Sequence, residues 1–101
     1  MSFGLSDIDI EKIKNVFGRF PQIEQVIIYG SRAMGNYRPN SDIDLTVKGL
    51  SISLDILNKI TQNLDDLLLP YLIDISNFKQ LDNPEFINHI ERVGKVFYQK
   101  I

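Results

Sequence analysis

Residues 42–49, Asp-Ile-Asp-Leu-Thr-Val-Lys-Gly, alternate strictly between polar and apolar side chains. Successive side chains of a strand point to opposite faces, so Ile43, Leu45 and Val47 share one face and Asp42, Asp44 and Thr46 the other. Such a segment belongs in a sheet whose apolar face is covered. Its polar face is unusual, because Asp is among the poorest strand formers and two occupy one short strand. Residues i and i+2 lie about 6.7 Å apart along a strand, close enough for the two carboxylates to lean together. At about 4 Å and an effective dielectric near 20, they would repel by roughly 4 kcal/mol. A divalent cation held between them removes that cost; without one, at least one carboxyl pKa should rise.

The tetrapeptide Ser-Asp-Ile-Asp at 41–44 also occurs at 6–9. The first copy precedes an apolar stripe of Ile10, Ile13, Val16, Phe17 and Phe20 at helical spacing. There Ser6 suits an N-cap, and Asp7 and Asp9 suit the first turn, where the helix dipole favours negative charge. Residues i and i+2 of a helix point about 200° apart, so Asp7 and Asp9 cannot converge on one cation.

The rest of the chain alternates helices and strands. Pro21 ends the first helix, and Gln25–Gly30 reads as a buried β-branched strand. Ser31–Gly35 forms one turn, and the segment around Pro39 is a loop. A second amphipathic helix runs from Ser53 to about Leu69 and stops at Pro70. Tyr71–Ser76 is a third strand. Asn83 and Pro84 suit the N-cap and N1 of a third long helix reaching Val93, with Gly94 at its C′ position. Lys95–Gln99 is a last strand. The expected fold is α/β (α+β), one domain over 1–101, with a mixed sheet of about four strands and helices packed on it.

Composition narrows the function. The net charge is -2 with no cysteine. No basic face is expected for nucleic acid, and no thiolate zinc site or disulfide is available. The N-terminus lacks the basic and apolar regions of a signal peptide, and no apolar run could span a bilayer. A cytoplasmic location is expected.

Two further features point to the strand at 42–49. Asp74 is the one charge in Tyr71–Ser76. If that strand lies beside the second, Asp74 joins Asp42 and Asp44 on one face, a set of oxygen donors suited to Mg²⁺ or Mn²⁺. Gly30-Ser31 closes the first strand and opens a turn whose N–H groups could receive a phosphate. Other residues read more plainly: His89 as a surface or helix-packing residue, Tyr37 as turn or edge packing, Lys48 as a solvated strand end, and Phe78 as packing.

The combination Gly-Ser-Arg-Ala-Met-Gly-Asn-Tyr-Arg-Pro-Asn-Ser-Asp-Ile-Asp at 30–44, with Asp74 on a later strand, resembles the active-site signature of the DNA polymerase beta-like nucleotidyltransferase superfamily. In size and in the sequence around Gly30 the chain is most similar to the minimal nucleotidyltransferases (MNT), the antitoxin partners of HEPN-domain toxins. That resemblance implies that Gly30 and Ser31 hold the β- and γ-phosphates of ATP. It implies that Asp42 and Asp44 bind two Mg²⁺ ions, and that Asp74 completes the metal site nearest the attacking hydroxyl. Arg32 and Arg38, the nearest cations, would neutralise the leaving pyrophosphate. Relatives commonly carry a basic residue where this chain has Met34, so one phosphate contact would be absent.

The implied reaction is transfer of AMP to a hydroxyl, with a tyrosine of a HEPN ribonuclease toxin as the leading acceptor. Larger superfamily members have a helical domain that holds the acceptor. Here a partner chain or self-assembly would have to supply that site. Two alternatives remain at this stage: an antitoxin that neutralises its partner by binding alone, and a transferase acting on a small molecule.

Overall fold

The computed structural model describes residues 2–101. The elements run α1 (Asp7–Gly18), β1 (Gln25–Tyr29), α2 (Ser31–Met34), β2 (Ile43–Lys48), α3 (Leu54–Asp65), β3 (Ile73–Asn77), a 3₁₀ turn (Phe78–Gln80), α4 (Pro84–Val93) and β4 (Lys95–Gln99). The strands form one sheet in the order β3-β2-β1-β4. β1 is antiparallel to β2 and β4, whereas β2 and β3 are parallel. A parallel pair requires a crossover, which α3 provides. This is the mixed α/β sheet expected from the sequence.

Alternation sorts the two faces. Val26, Ile28, Ile43, Leu45 and Val47 join Ile13, Val16 and Phe17 of α1 and Ile60 and Leu64 of α3 in the main core. Ile43, Leu45 and Val47 are fully buried, and burying such side chains contributes about 1.5–3 kcal/mol each. That outweighs the poor strand propensity of Asp44, since the whole β-propensity scale spans only about 1 kcal/mol. On the opposite face, Ile27 and Tyr29 pack beneath Phe86, Ile90 and Val93 of α4. Asp44 and Thr46 of β2 and Asp74 and Ser76 of β3 continue this second face in register.

Helix starts follow their capping residues. Ser6 Oγ accepts the Asp9 N–H at 3.1 Å, so the first Ser-Asp-Ile-Asp is a helix cap. Ser53 Oγ accepts the Ile56 N–H at 3.2 Å. Asn83 Oδ1 accepts the Glu85 and Phe86 N–H groups at 3.0 and 3.2 Å.

Some boundaries differ from the sequence reading. α3 ends at Asp65, one turn before the position expected from Pro70. Asp65 and Asp66 at its C-terminal end oppose the helix dipole, and Leu68 adopts a positive φ of 54° that helical geometry excludes. Gly94 is extended rather than left-handed. Its lack of a side chain matters for space, because a Cβ there would strike the Ile90 carbonyl and the Ile27 side chain. The β1–β4 register shifts between Val26 and Ile27. This bulge turns both Phe97 and Tyr98 toward the main core, where their rings lie 6.3 and 5.8 Å from that of Phe17.

Candidate active site

The register places Tyr29 opposite Asp44, and Asp44 opposite Asp74. Adjacent strands lie about 4.8 Å apart, so the three side chains form a row across β1, β2 and β3 on one face. β3 therefore does lie beside β2, the condition on which the grouping of Asp74 with Asp44 depended. Asp42 was expected inside the second strand. It lies one residue before β2 and is exposed, because the ladder begins where the Ile43 N–H donates to the Leu72 carbonyl at 2.9 Å.

Gly30 sits between β1 and α2 with φ 73° and ψ -156°. Side chains rarely tolerate that backbone geometry. A Cβ at Gly30 would also collide with the Asp44 carboxylate, whose Oδ2 tucks against the glycine backbone. The glycine thus opens the strand end and makes room for the central carboxylate. The Met34 and Gly35 N–H groups donate to the Gly30 and Ser31 carbonyls at 3.1 and 2.9 Å. The first N–H groups of such a turn have no acceptor within it and are suited to an anion.

Electrostatics mark Asp44 as the strained carboxyl of the row. Burial raises its pKa above the ordinary 3.8, the charges of Asp74 and Asp42 raise it further, and His89 partly opposes them. Burial is thus the main cause and the neighbour on β3 the next, with the repulsion anticipated between Asp42 and Asp44 a smaller contribution. Burial also raises the Tyr29 phenol above its usual 10.0; the Ser76 hydroxyl partly offsets this, while Asp74 and Asp44 add to it. The two hydroxyls lie close without a well-directed hydrogen bond, since Ser76 Oγ is buried and has no partner. Tyr29 is therefore a neutral phenol at the edge of an acidic row.

Arg32 occupies a different environment from the one expected. It is 2 % exposed. Its Nε and Nη2 donate to the Ser41 carbonyl at 3.1 and 2.8 Å, and its Nη1 donates to the Phe3 carbonyl at 2.9 Å. Nη2 also donates to the Pro39 carbonyl at 3.3 Å. The guanidinium is thus engaged inside the loop and not presented to a phosphate. Arg38 is exposed in the same loop, where its N–H donates to Ser41 Oγ at 2.8 Å.

His89 belongs to the site's surroundings, although the sequence suggested only a surface or helix-packing residue. Its ring meets that of Tyr29 edge to face, with centroids 6.3 Å apart, and its charge favours ionised Asp44. The usable signal was spacing: His89 follows Phe86 by three residues, and neighbours three apart share a helix face. Lys48 is also more than a solvated strand end, because its Nζ lies 4.5 Å from the centre of the Phe78 ring.

The residues fit divalent cations in donor chemistry and backbone placement. Asp42, Asp44 and Asp74 are hard oxygen donors at one end of the sheet, and burial together with the neighbouring charges already raises the pKa of Asp44. They form an open row and not a closed cage: among the described residues, no three His, Cys, Asp or Glu side chains are gathered closely enough to hold an ion as they stand. Closing on a cation would require rotation of these side chains. A separate concavity of about 670 Å³, lined by Glu11, Lys14, Arg19 and Tyr98 among others, contains none of the row.

Comparison with solved structures supports the architecture. A chain of a toxin–antitoxin complex with AMP-PNP superposes with a TM-score of 0.71 at 20% identity, over 95% of this chain and 75% of that one. A chain of the complex between a tri-AMPylated Shewanella oneidensis HEPN toxin and an MNT antitoxin gives 0.69 at 15% identity, over 95% and 74%. A chain assigned as a nucleotidyltransferase from Sulfolobus solfataricus gives 0.57 at 22% identity, over 90% and 77%. No curated protein matches by sequence. The family model described as "Polymerase beta, Nucleotidyltransferase" matches residues 11–100, spanning Gly30, Ser31 and all three aspartates of the site. The chain belongs to the polymerase beta-type nucleotidyltransferase family.

Proposed function

We propose that this protein transfers AMP from ATP to a hydroxyl of a partner protein, and that it is the antitoxin of a toxin–antitoxin pair. A tyrosine of a HEPN-domain toxin is the acceptor that best fits this reading. The observation that carries it is the in-register row of Asp44 and Asp74 beside the Gly30 opening. Similarity in fold to chains from toxin–antitoxin complexes, one with AMP-PNP and one with an AMPylated HEPN toxin, supports the choice of donor and partner. A cytoplasmic location accords with a substrate of that kind.

Each residue has a role in this reading. Gly30 and Ser31 receive the triphosphate through backbone N–H groups and the serine hydroxyl. Asp42 and Asp44 would hold the divalent cations that draw the α-phosphate end of ATP to the site, and Asp74 faces the incoming hydroxyl and accepts its proton. Two Mg²⁺ ions, or Mn²⁺, held by these three carboxylates would stabilise the charge on the attacking and leaving oxygens. The acceptor oxygen bonds to the α-phosphorus as the bond from that phosphorus to the oxygen bridging to the β-phosphate breaks. Pyrophosphate then leaves. Arg38, exposed beside the aspartate loop, is the available cation for its charge.

The carboxylate row lies on an open face, so the acceptor must be brought to it, which suits a protein partner. Co-expression with a cognate HEPN toxin separates catalysis from binding alone. The wild-type chain should restore growth, and the Asp42→Asn/Asp44→Asn double variant should not, despite equal expression and equal co-purification with the toxin. Restored growth with the double variant would mean that neutralisation is by binding.

A further inference from the structure

We propose that Arg32 is a positioning residue that ties the two halves of the site together, setting Asp42 against the Gly30-Ser31 turn. This rests on the reading of Asp42 as a metal ligand. Arg32 is the second residue of α2, immediately after Ser31. Its guanidinium reaches across to the loop before β2, where two of its nitrogens donate to the carbonyl of Ser41. That carbonyl belongs to the peptide that leads into Asp42. Asp42 lies outside the β2 ladder, so the orientation of this peptide governs where its carboxylate points.

The surroundings are built around this one side chain. Two aromatic rings flank the guanidinium, with centroids 5.4 Å away for Tyr37 and 4.9 Å for Tyr71. Arginine suits such a place, because a planar fork can donate to several carbonyls while stacking on rings, which an ammonium cannot reproduce. The N-terminal segment contributes as well. Ser2 and Leu5 exchange backbone hydrogen bonds of 3.2 and 2.9 Å around a turn in which Phe3 and Gly4 have φ of 57° and 72°. A non-glycine residue in this conformation is strained, so the surrounding contacts must hold it. The turn offers the Phe3 carbonyl to Arg32 at 2.9 Å. It also brings Gly4 so close to the Tyr37 ring that a Cβ would overlap it. Thus the N-terminal turn, the Tyr37 loop and α2 meet at Arg32, and the aspartate loop hangs from the same point.

The test compares wild type, Arg32→Lys and Asp44→Asn, each shown by circular dichroism to be folded. Mn²⁺ binding is measured by electron paramagnetic resonance without nucleotide, and amide exchange is measured without metal. Arg32→Lys should weaken Mn²⁺ binding about tenfold, in the range seen when groups behind metal ligands are altered. It should speed exchange at the Arg38 and Ser41 amides and lower kcat, with KM for ATP little changed. Normal Mn²⁺ affinity and normal loop exchange in folded Arg32→Lys would overturn the proposal. So would a tenfold rise in KM for ATP at unchanged Mn²⁺ affinity, which would return Arg32 to the phosphates. If wild type binds Mn²⁺ no better than Asp44→Asn, the metal reading fails, while loop exchange still decides the role of Arg32. Should Arg32→Lys not fold, Tyr37→Leu removes one flanking ring at the surface. It should weaken Mn²⁺ binding about threefold and speed the same exchange; no change in either would overturn the proposal.

Discussion

Replacing Asp44 by Asn should stabilise the metal-free protein at neutral pH. Asp44 lies between Asp74, its register partner, and Asp42, and its pKa is raised by burial and by both of these charges. With carboxylates splayed to about 6 Å and a solvent-screened dielectric of 40–80, each like-charge contact costs roughly 0.7–1.4 kcal/mol. Allowing for relaxation, relief of about 1 kcal/mol is expected, or about 4–8 °C in Tm for a chain of this size. The sign with pH follows from the raised folded value. Below the ordinary value of 3.8, both folded and unfolded Asp44 are protonated and its favourable contribution is fully present. As pH rises through the folded pKa, that contribution is lost. The advantage of the Asp44→Asn variant should therefore appear at pH 7 in EDTA and shrink toward zero near pH 3. Saturating Mg²⁺ should reverse the order, since a ligand at a hundred times its Kd adds about 2.7 kcal/mol to the wild type alone. Thermal unfolding by circular dichroism at pH 3 and 7, with EDTA or Mg²⁺, reads all four conditions. Equal or lower stability of Asp44→Asn at pH 7 in EDTA would refute the repulsion argument.

Other substitutions bear on neighbouring parts of the site. Gly30→Ala should cut nucleotidyl transfer at least about 100-fold by displacing the Asp44 carboxylate, the scale of loss expected from an ångström of misplacement; steady-state kinetics on the folded variant would check it. Ser6→Ala should lower stability by about 0.5–2 kcal/mol and leave the transfer rate unchanged, as measured by urea unfolding and assay of one sample. Asp74→Asn should abolish transfer while retaining binding of an ATP analogue, measured by calorimetry. Phe97→Ala should cost about 3–5 kcal/mol, because its buried ring packs against Phe17 at the β4 bulge; chemical denaturation would report it.

Parts of this fold can be read from sequence because the signals are local. Alternation in β2 sorts Asp44 and Leu45 to opposite faces, and Ser6, Ser53 and Asn83 each cap the helix that follows. The helix end at Asp65 was less legible, since it turns on the left-handed backbone of Leu68, a residue with no turn signature. The environment of Arg32 was hidden for another reason. Its acceptors are main-chain carbonyls of Phe3, Pro39 and Ser41, and a carbonyl leaves no trace in residue type. An arginine beside a phosphate loop naturally suggests an anion contact, whereas long-range packing gave this one a place inside the protein. His89 was obscured in the same way, because its nearness to Asp44 depends on how α4 lies across the sheet.

The most direct test of the central claim is the intact mass of a cognate HEPN toxin after incubation with this protein, ATP and Mg²⁺. The toxin should gain one or more adenylyl groups, located on tyrosine, and should gain none with the Asp42→Asn/Asp44→Asn variant. An unchanged mass in a complex that still forms, or a gain that persists in the double variant, would contradict it.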